Sequence, residues 1–198
     1  MNSNTIRADY DKDTITIYQA FNKYIAQTAI DNQTFISPPF KKERMTWVKP
    51  SFLWMMYRSG WATKIDQEYI LAIRIKRSGF EWALKNSCLS RFDSNVDSSY
   101  DNWKENLAKS PIRIQWDPER NIFMQPLNYG SIQVGLSGNA IDEYISNWII
   151  SIEDITNYCK QIHQLIYDNK IIQAKNLLPN EQLYPLPEDI AIKINSYL

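Results

Sequence analysis

The run PIRIQWDPERNIFMQ, residues 111–125, constrains the fold more than any other stretch. PIRIQW and NIFMQ read as two strands. DPER between them reads as a hairpin turn, because Pro118 presets the turn and Asp117 can bond the backbone beyond it. Before this point the chain alternates strand-like and helix-like segments, and regular alternation by itself favours a parallel sheet. A hairpin joins antiparallel neighbours and breaks that regularity. The expectation is therefore a compact α+β fold, with a mixed, mostly antiparallel sheet and flanking helices.

The other segments fit that frame. TITIYQAF, residues 14–21, alternates Ile15 and Ile17 with threonines and reads as a strand. Asn22 is placed to cap a helix whose inward face is Tyr24, Ile25 and Ala29. FISPPFKKE is a loop, since paired prolines exclude both helix and central strand. RMTWV suits a short strand. PSFLWMMYRS suits a helix with Pro50 in its first turn and Gly60 as a left-handed stop. EYILAIRIK, residues 68–76, reads as a central strand, and Ser78 with Glu81 matches the capping box of the next helix. Residues 90–110 read as a long connection with a helical turn at Trp103. SIQVGL, residues 131–136, is a further strand. NAIDEYISNWII carries a helical stripe of Ile141, Tyr144, Ile145, Trp148 and Ile149. The 198 residues suit a single domain spanning 1–198, with residues 136–198 as a mainly helical C-terminal part.

Charge is distributed unevenly. Formal net charge is +0, yet residues 41–77 hold nine Lys/Arg against three Asp/Glu, whereas residues 139–198 hold four against eight. A cationic patch in a neutral chain points to an anionic ligand rather than bulk adhesion. Cys88 and Cys159 lie far apart with no C-x-x-C, so two free thiols in a reducing cytoplasm are expected. The opening MNSNTIRADYDKDT has no apolar core of a signal, and no apolar run reaches membrane-spanning length. A cytoplasmic location without membrane partners is the resulting expectation. One histidine, His163, and no Cys pair exclude an ordinary zinc site, so no metal is expected. His163 is expected to face solvent beside the apolar stripe of its helix.

RMTWVKPSFLWMMYRSGW, residues 44–61, concentrates three tryptophans and three methionines around Arg44, Lys49 and Arg58, without one acid. On a helix, Trp54 and Arg58 share a face. Free N–H groups at the helix start, next to Arg44 and Lys49, would suit phosphate. The competing reading is a core helix whose cations lie in solvent. Tyr18 and Gln19 sit at the end of the first strand, beside a helix start. Asp117 and Glu119 could share acid–base work, or simply decorate a hairpin tip.

DYDKDTITIYQAF, RMTWVKPSFLWMMYRSGW, QWDPER and SIQVGLSG together resemble the domain-of-unknown-function 4291 family, over nearly the whole chain. The family's YRSIQ stands here as Tyr129-Gly130-Ser131-Ile132-Gln133, with glycine in place of the usual arginine. A second resemblance, in layout alone, is to ADP-ribosyltransferases. It implies NAD as cofactor, Gln19 on the nicotinamide side, Thr46 or Ser51 at the Ser/Thr step, and Gln133 on the strand of the catalytic acid. A glutamine is not a carboxylate, so this departs from classical transfer. The functional expectation is a nucleotide-handling enzyme: Arg44, Lys49 and Arg58 on phosphates, Trp47 or Trp54 against the base, Tyr18 and Gln19 orienting the reacting group. The alternative is a non-catalytic module binding RNA or single-stranded nucleic acid through the same cations and tryptophans. The sequence leaves the oligomeric state open.

Overall fold

The computed structural model describes residues 3–196. In chain order the elements are β1 (Ser3–Asn4), β2 (Arg7–Ala8), β3 (Thr14–Phe21), α1 (Lys23–Asn32), β4 (Thr46–Val48), α2 (Phe52–Ser59), β5 (Tyr69–Lys76), α3 (Arg77–Lys85), β6 (Ser87–Leu89), α4 (Tyr100–Lys109), β7 (Ile112–Arg120), β8 (Pro126–Leu136), α5 (Asn139–Glu143), a π-helical turn (Tyr144–Trp148), β9 (Ile149–Asp154), α6 (Thr156–Tyr167), α7 (Ile171–Asn176), β10 (Gln182–Leu183) and α8 (Glu188–Lys193). The class is α+β, with most strand pairings antiparallel.

Two main sheets carry the fold. In the first, β5 lies between β3 and β9, antiparallel to both. In the second, β8 pairs antiparallel with β7 along one edge. Its other edge is shared by β4, antiparallel at Val134–Leu136, and β1, parallel at Tyr129–Gly130. Strand β6 extends this sheet parallel to β7. A single bridge between Tyr18 and Lys49 ties the two sheets together, its Tyr18 N–H donating to the Lys49 carbonyl at 2.7 Å. Lys49 therefore stands at the seam.

The alternation of β3 sorts its side chains onto two cores. Ile15 and Ile17 join a large cluster with Leu71, Ile73, Phe80, Val134 and Tyr144. Tyr18 joins a second cluster with Phe52, Met55, Met56, Trp61, Cys159 and Ile162. Helix α2 thus buries its methionines against one face of the β3–β5–β9 sheet while α1 and α3 cover the other. Pairing β-branched residues along β3 and β5 removes apolar surface from water on both faces, at roughly 25 cal/mol per Å².

Several local expectations hold. Asn22 caps α1, its side chain accepting from the Ile25 N–H at 3.2 Å. Gly60 ends α2 at φ 61°. Cys88 and Cys159 are both buried and unbridged.

Others are corrected. DPER is not the hairpin turn; it is the end of β7, and the chain reverses at residues 121–125, where Asn121 accepts from the Phe123 and Gln125 N–H groups. Asn121 performs there the local bonding expected of Asp117. Tyr24 is 78% exposed, and Ala26 with Ala29 forms the buried face of α1. Pro50 precedes α2, and Ser51 is its cap. Ser78 and Glu81 form no capping box: α3 starts at Arg77, and Glu81 accepts from Arg77 and the Tyr184 hydroxyl instead. The helix that follows the long strand ends at Lys85, and Cys88 lies beyond it on strand β6. Around Trp103 the chain makes a full helix, α4. The segment expected to be mainly helical also supplies β9, where Ile149 leaves its helical stripe to enter the sheet.

Candidate functional site

Three chain segments place side chains at i, i+2 and i+4 on one face of the second sheet. Along β7 these are Gln115, Asp117 and Glu119; along β8, Gln133, Ser131 and Tyr129. Gln115 is in register with Gln133 and Asp117 with Ser131. Trp47, Lys49 and Ser51 continue the lattice from β4 into the start of α2, with Trp47 opposite Gly135. Gly135 leaves room for this: a Cβ there would stand 2.6 Å from Met45 Sδ and 3.0 Å from the Trp47 ring. The result is a polar, mostly buried surface between a sheet and a helix start.

Lys49 is 6% exposed. Its ammonium donates to the Trp47 carbonyl at 3.2 Å and lies 5.5 Å from the centre of the Trp54 ring. Burial, reinforced by the nearby Arg58 guanidinium and opposed by Asp117, brings its pKa down to about 7. The indole N–H of Trp54 is buried with no acceptor among the described residues. Asp117 accepts from Gln115 Nε2 at 3.0 and 3.1 Å and also from Gln133 Nε2. Arg58 is exposed on the last turn of α2.

Beside this group lies a carboxylate pair at the start of α2. Glu119 accepts from the Ser51 hydroxyl at 2.9 Å and the Arg120 N–H at 2.7 Å, with the Ser131 hydroxyl alongside. Glu181 reaches in from the C-terminal segment and accepts from the Phe52 N–H at 2.7 Å. Burial raises both carboxyls; for Glu181, with the charge of Glu119 adding and Arg7 opposing, the pKa is pushed up to about 8. A helix start offers free N–H groups and a positive dipole end, which is why acceptors gather here.

The residues singled out in the sequence divide into groups. Lys49, Trp54, Arg58 and Gln133 share this neighbourhood, and Trp47 and Ser51 border it. Arg44 does not join them. It lines a separate depression of about 290 Å³ with Phe21, Phe40, Lys41 and Asp66. Thr46 faces away from the lattice, because it alternates with Trp47, and accepts from Gln19 Nε2 at 2.8 Å. Gln19 is 3% exposed; its amide also donates to the Trp47 carbonyl at 3.1 Å, and its carbonyl accepts from the Tyr144 hydroxyl at 2.8 Å. These bonds make Gln19 a strut between β3, β4 and the π-helical turn. Tyr18 is buried edge-on to Phe52, and burial pushes its hydroxyl pKa well up. His163 is exposed, as its helix position implies, and stacks on Trp61 at 5.1 Å.

The sequence pattern puts Asp117 and Glu119 at a hairpin tip and gives no prominence to Arg7 or Glu181. The signal for the first two was present: alternation continues from Ile112 through Glu119, so the polar positions share a face. No local signal marks Glu181, which arrives from a tail far along the chain.

Among the described residues no helix is long and apolar enough to cross a membrane, and no group of three or more His, Cys, Asp or Glu is placed to hold a metal ion. No curated protein matches the chain. A family model described as "Domain of unknown function (DUF4291)" matches residues 5–184, and the chain belongs to that family.

Proposed function

We propose that this member of the DUF4291 family is a nucleotide-handling enzyme that takes NAD or another phosphorylated nucleotide at the Lys49–Arg58 group. The observation that carries the reading is a pair of under-used donors side by side: among the described residues the Trp54 indole N–H has no acceptor, and the buried Lys49 ammonium has only a backbone carbonyl. A buried donor without an acceptor costs free energy that an anionic ligand would recover. Phosphate oxygens would take these donors and the exposed Arg58 guanidinium, and the half-buried Trp47 face would receive the base. Asp117, oriented by Gln115 and Gln133, is a carboxylate whose charge acts on Lys49, and it is the group suited to hold a proton or a ribose hydroxyl there. In the ADP-ribosyltransferase-like version of the reading, Gln19 would have to leave its three bonds to reach a nicotinamide. The transfer chemistry is therefore assigned to the β7–β8 side. The alternative, a nucleic-acid-binding module, fits a 6%-exposed lysine less well than a small ligand does.

The test uses proton linkage. An anion beside Lys49 raises its pKa, so nucleotide binding at pH 8 should take up close to one proton, and affinity should weaken as pH rises from 7 to 9. Calorimetry in two buffers of different ionisation enthalpy reads this directly. Binding should depend only weakly on salt and should fall about tenfold or more in Lys49→Met or Arg58→Ala. A steep salt dependence with short single-stranded RNA, and no response to NAD or a mononucleotide, would give the site to nucleic acid. No saturable binding of any of these would leave the lattice as structure.

A further inference from the structure

A second cavity, which shares no lining residue with the Lys49 group, opens where α3, β6, α4 and α8 meet. Its volume is about 610 Å³, within the usual range for small-molecule sites. Leu89, Val96, Pro111 and Ile192 contribute to its apolar part. Lys85, Lys109 and Lys193 stand against one carboxylate, Asp97. Lys109 is tied to Glu105 at 2.7 Å, whereas Lys85 and Lys193 make no ion pair among the described residues.

The amides are what specify the ligand. Asn86 donates to the Trp82 carbonyl at 2.8 Å, leaving its own side-chain oxygen open. Asn106 donates to Asn102 at 3.0 Å, which leaves the Asn102 N–H groups and the Asn106 oxygen open. Asn139 makes no side-chain hydrogen bond to another described residue. All four asparagines are exposed on the cavity wall, so these groups face water, and a hydroxyl group, which both gives and takes hydrogen bonds, can replace that water. Trp82 lines the cavity at 39% exposure, braced edge-on by Trp148 at 5.7 Å. A braced indole face suits the C–H face of a sugar ring, and two unpaired ammonium groups suit a phosphate.

We infer that this cavity binds a phosphorylated sugar, with its phosphate on Lys85 and Lys193, its hydroxyls on Asn102, Asn106 and Asn139, and its ring against Trp82. The site is independent of the nucleotide reading above. Its test is a titration of the full chain with ribose 5-phosphate, ribose and inorganic phosphate, followed by calorimetry and by the side-chain amide NMR signals of the asparagines. Ribose 5-phosphate should saturate, binding about tenfold or more tighter than either part alone. The Lys85→Ala/Lys193→Ala double variant, two exposed positions where folding is not at stake, should weaken binding by a similar factor. Lys49→Met should leave it unchanged. An absence of saturation at millimolar ribose 5-phosphate, equal binding by the double variant, or loss of binding in Lys49→Met would each overturn the assignment. Equal affinity for inorganic phosphate would remove the sugar from it.

Discussion

Lys49 loses water on folding and gains one backbone carbonyl in return. Its folded pKa of about 7 lies below the ordinary 10.5, so the native state holds fewer protons than the unfolded chain between those values. Stability should therefore rise with pH across that window, and the whole penalty of burying the ammonium is present below pH 7. Lys49→Met, which keeps the length and removes the charge, should raise the melting temperature by about 4 °C or more at pH 6. The gain should shrink towards pH 10, as a thermal denaturation series would show. Glu181 runs the opposite way. Its pKa is raised to about 8 from 4.5, so the folded state keeps a proton that the unfolded chain releases, and stability falls as pH climbs through that interval. Glu181→Gln keeps an oxygen for the Phe52 N–H and cannot ionise. It should stabilise at pH 8 and change little at pH 4.5; a loss of stability at pH 8 would show that the carboxylate is held ionised instead.

Helix α2 is fastened at its start by one hydroxyl with two tasks. Ser51 accepts from the Trp54 N–H at 3.1 Å and donates to Glu119 at 2.9 Å. Ser51→Ala should cost about 1 kcal/mol for the cap and roughly 1–3 kcal/mol more for the carboxylate left short of a donor, so a denaturant midpoint shift well beyond a simple cap loss is expected. Helix α3 depends on a close approach rather than on a cap. A Cβ on Gly79 would stand 2.4 Å from the Trp148 ring, so Gly79→Ala should destabilise by about 1–3 kcal/mol and, by shifting Trp148, disturb the Trp82 it braces. At this scale the sequence was most readable where the determinant is local. The Asn22 cap and the Gly60 stop need only their neighbours in the chain. Ser78 and Glu81 match a capping pattern as well, yet Arg77 and Tyr184 claim Glu81, and Tyr184, which donates at 2.7 Å, arrives from more than 100 residues away.

For the whole molecule, the two ends of the chain close the structure together. Strand β10 pairs with β2, Ser196 bonds the Asn4 carbonyl, and Ile190, Ala191 and Ile194 enter the main core. The Arg77 guanidinium lies between Tyr10 and Tyr184, 5.2 and 4.8 Å from their ring centres. A chain ending at residue 180 would lose these contacts together with Glu181. It should unfold at a markedly lower temperature or lose cooperativity, as calorimetry would show, and its α2 start should lose amide-exchange protection first.

The sequence by itself determined the α+β class, the two long strands with β-branched alternation, the cap at Asn22, the stop at Gly60 and the two unbridged thiols. These depend on residues within a turn or a strand of one another, or on composition. It also brought attention to Lys49, Trp54 and Arg58, because charge without acids and aromatics in excess are visible in any window. Only the tertiary structure decided that Gln19 is a strut, that Arg44 belongs to another depression, that DPER is strand, and that Glu181 meets Glu119 at the start of α2. Each of those outcomes is a competition for hydrogen-bond partners among segments distant in the chain. A periodicity fixes which face a side chain takes, but not which partner will be waiting on that face.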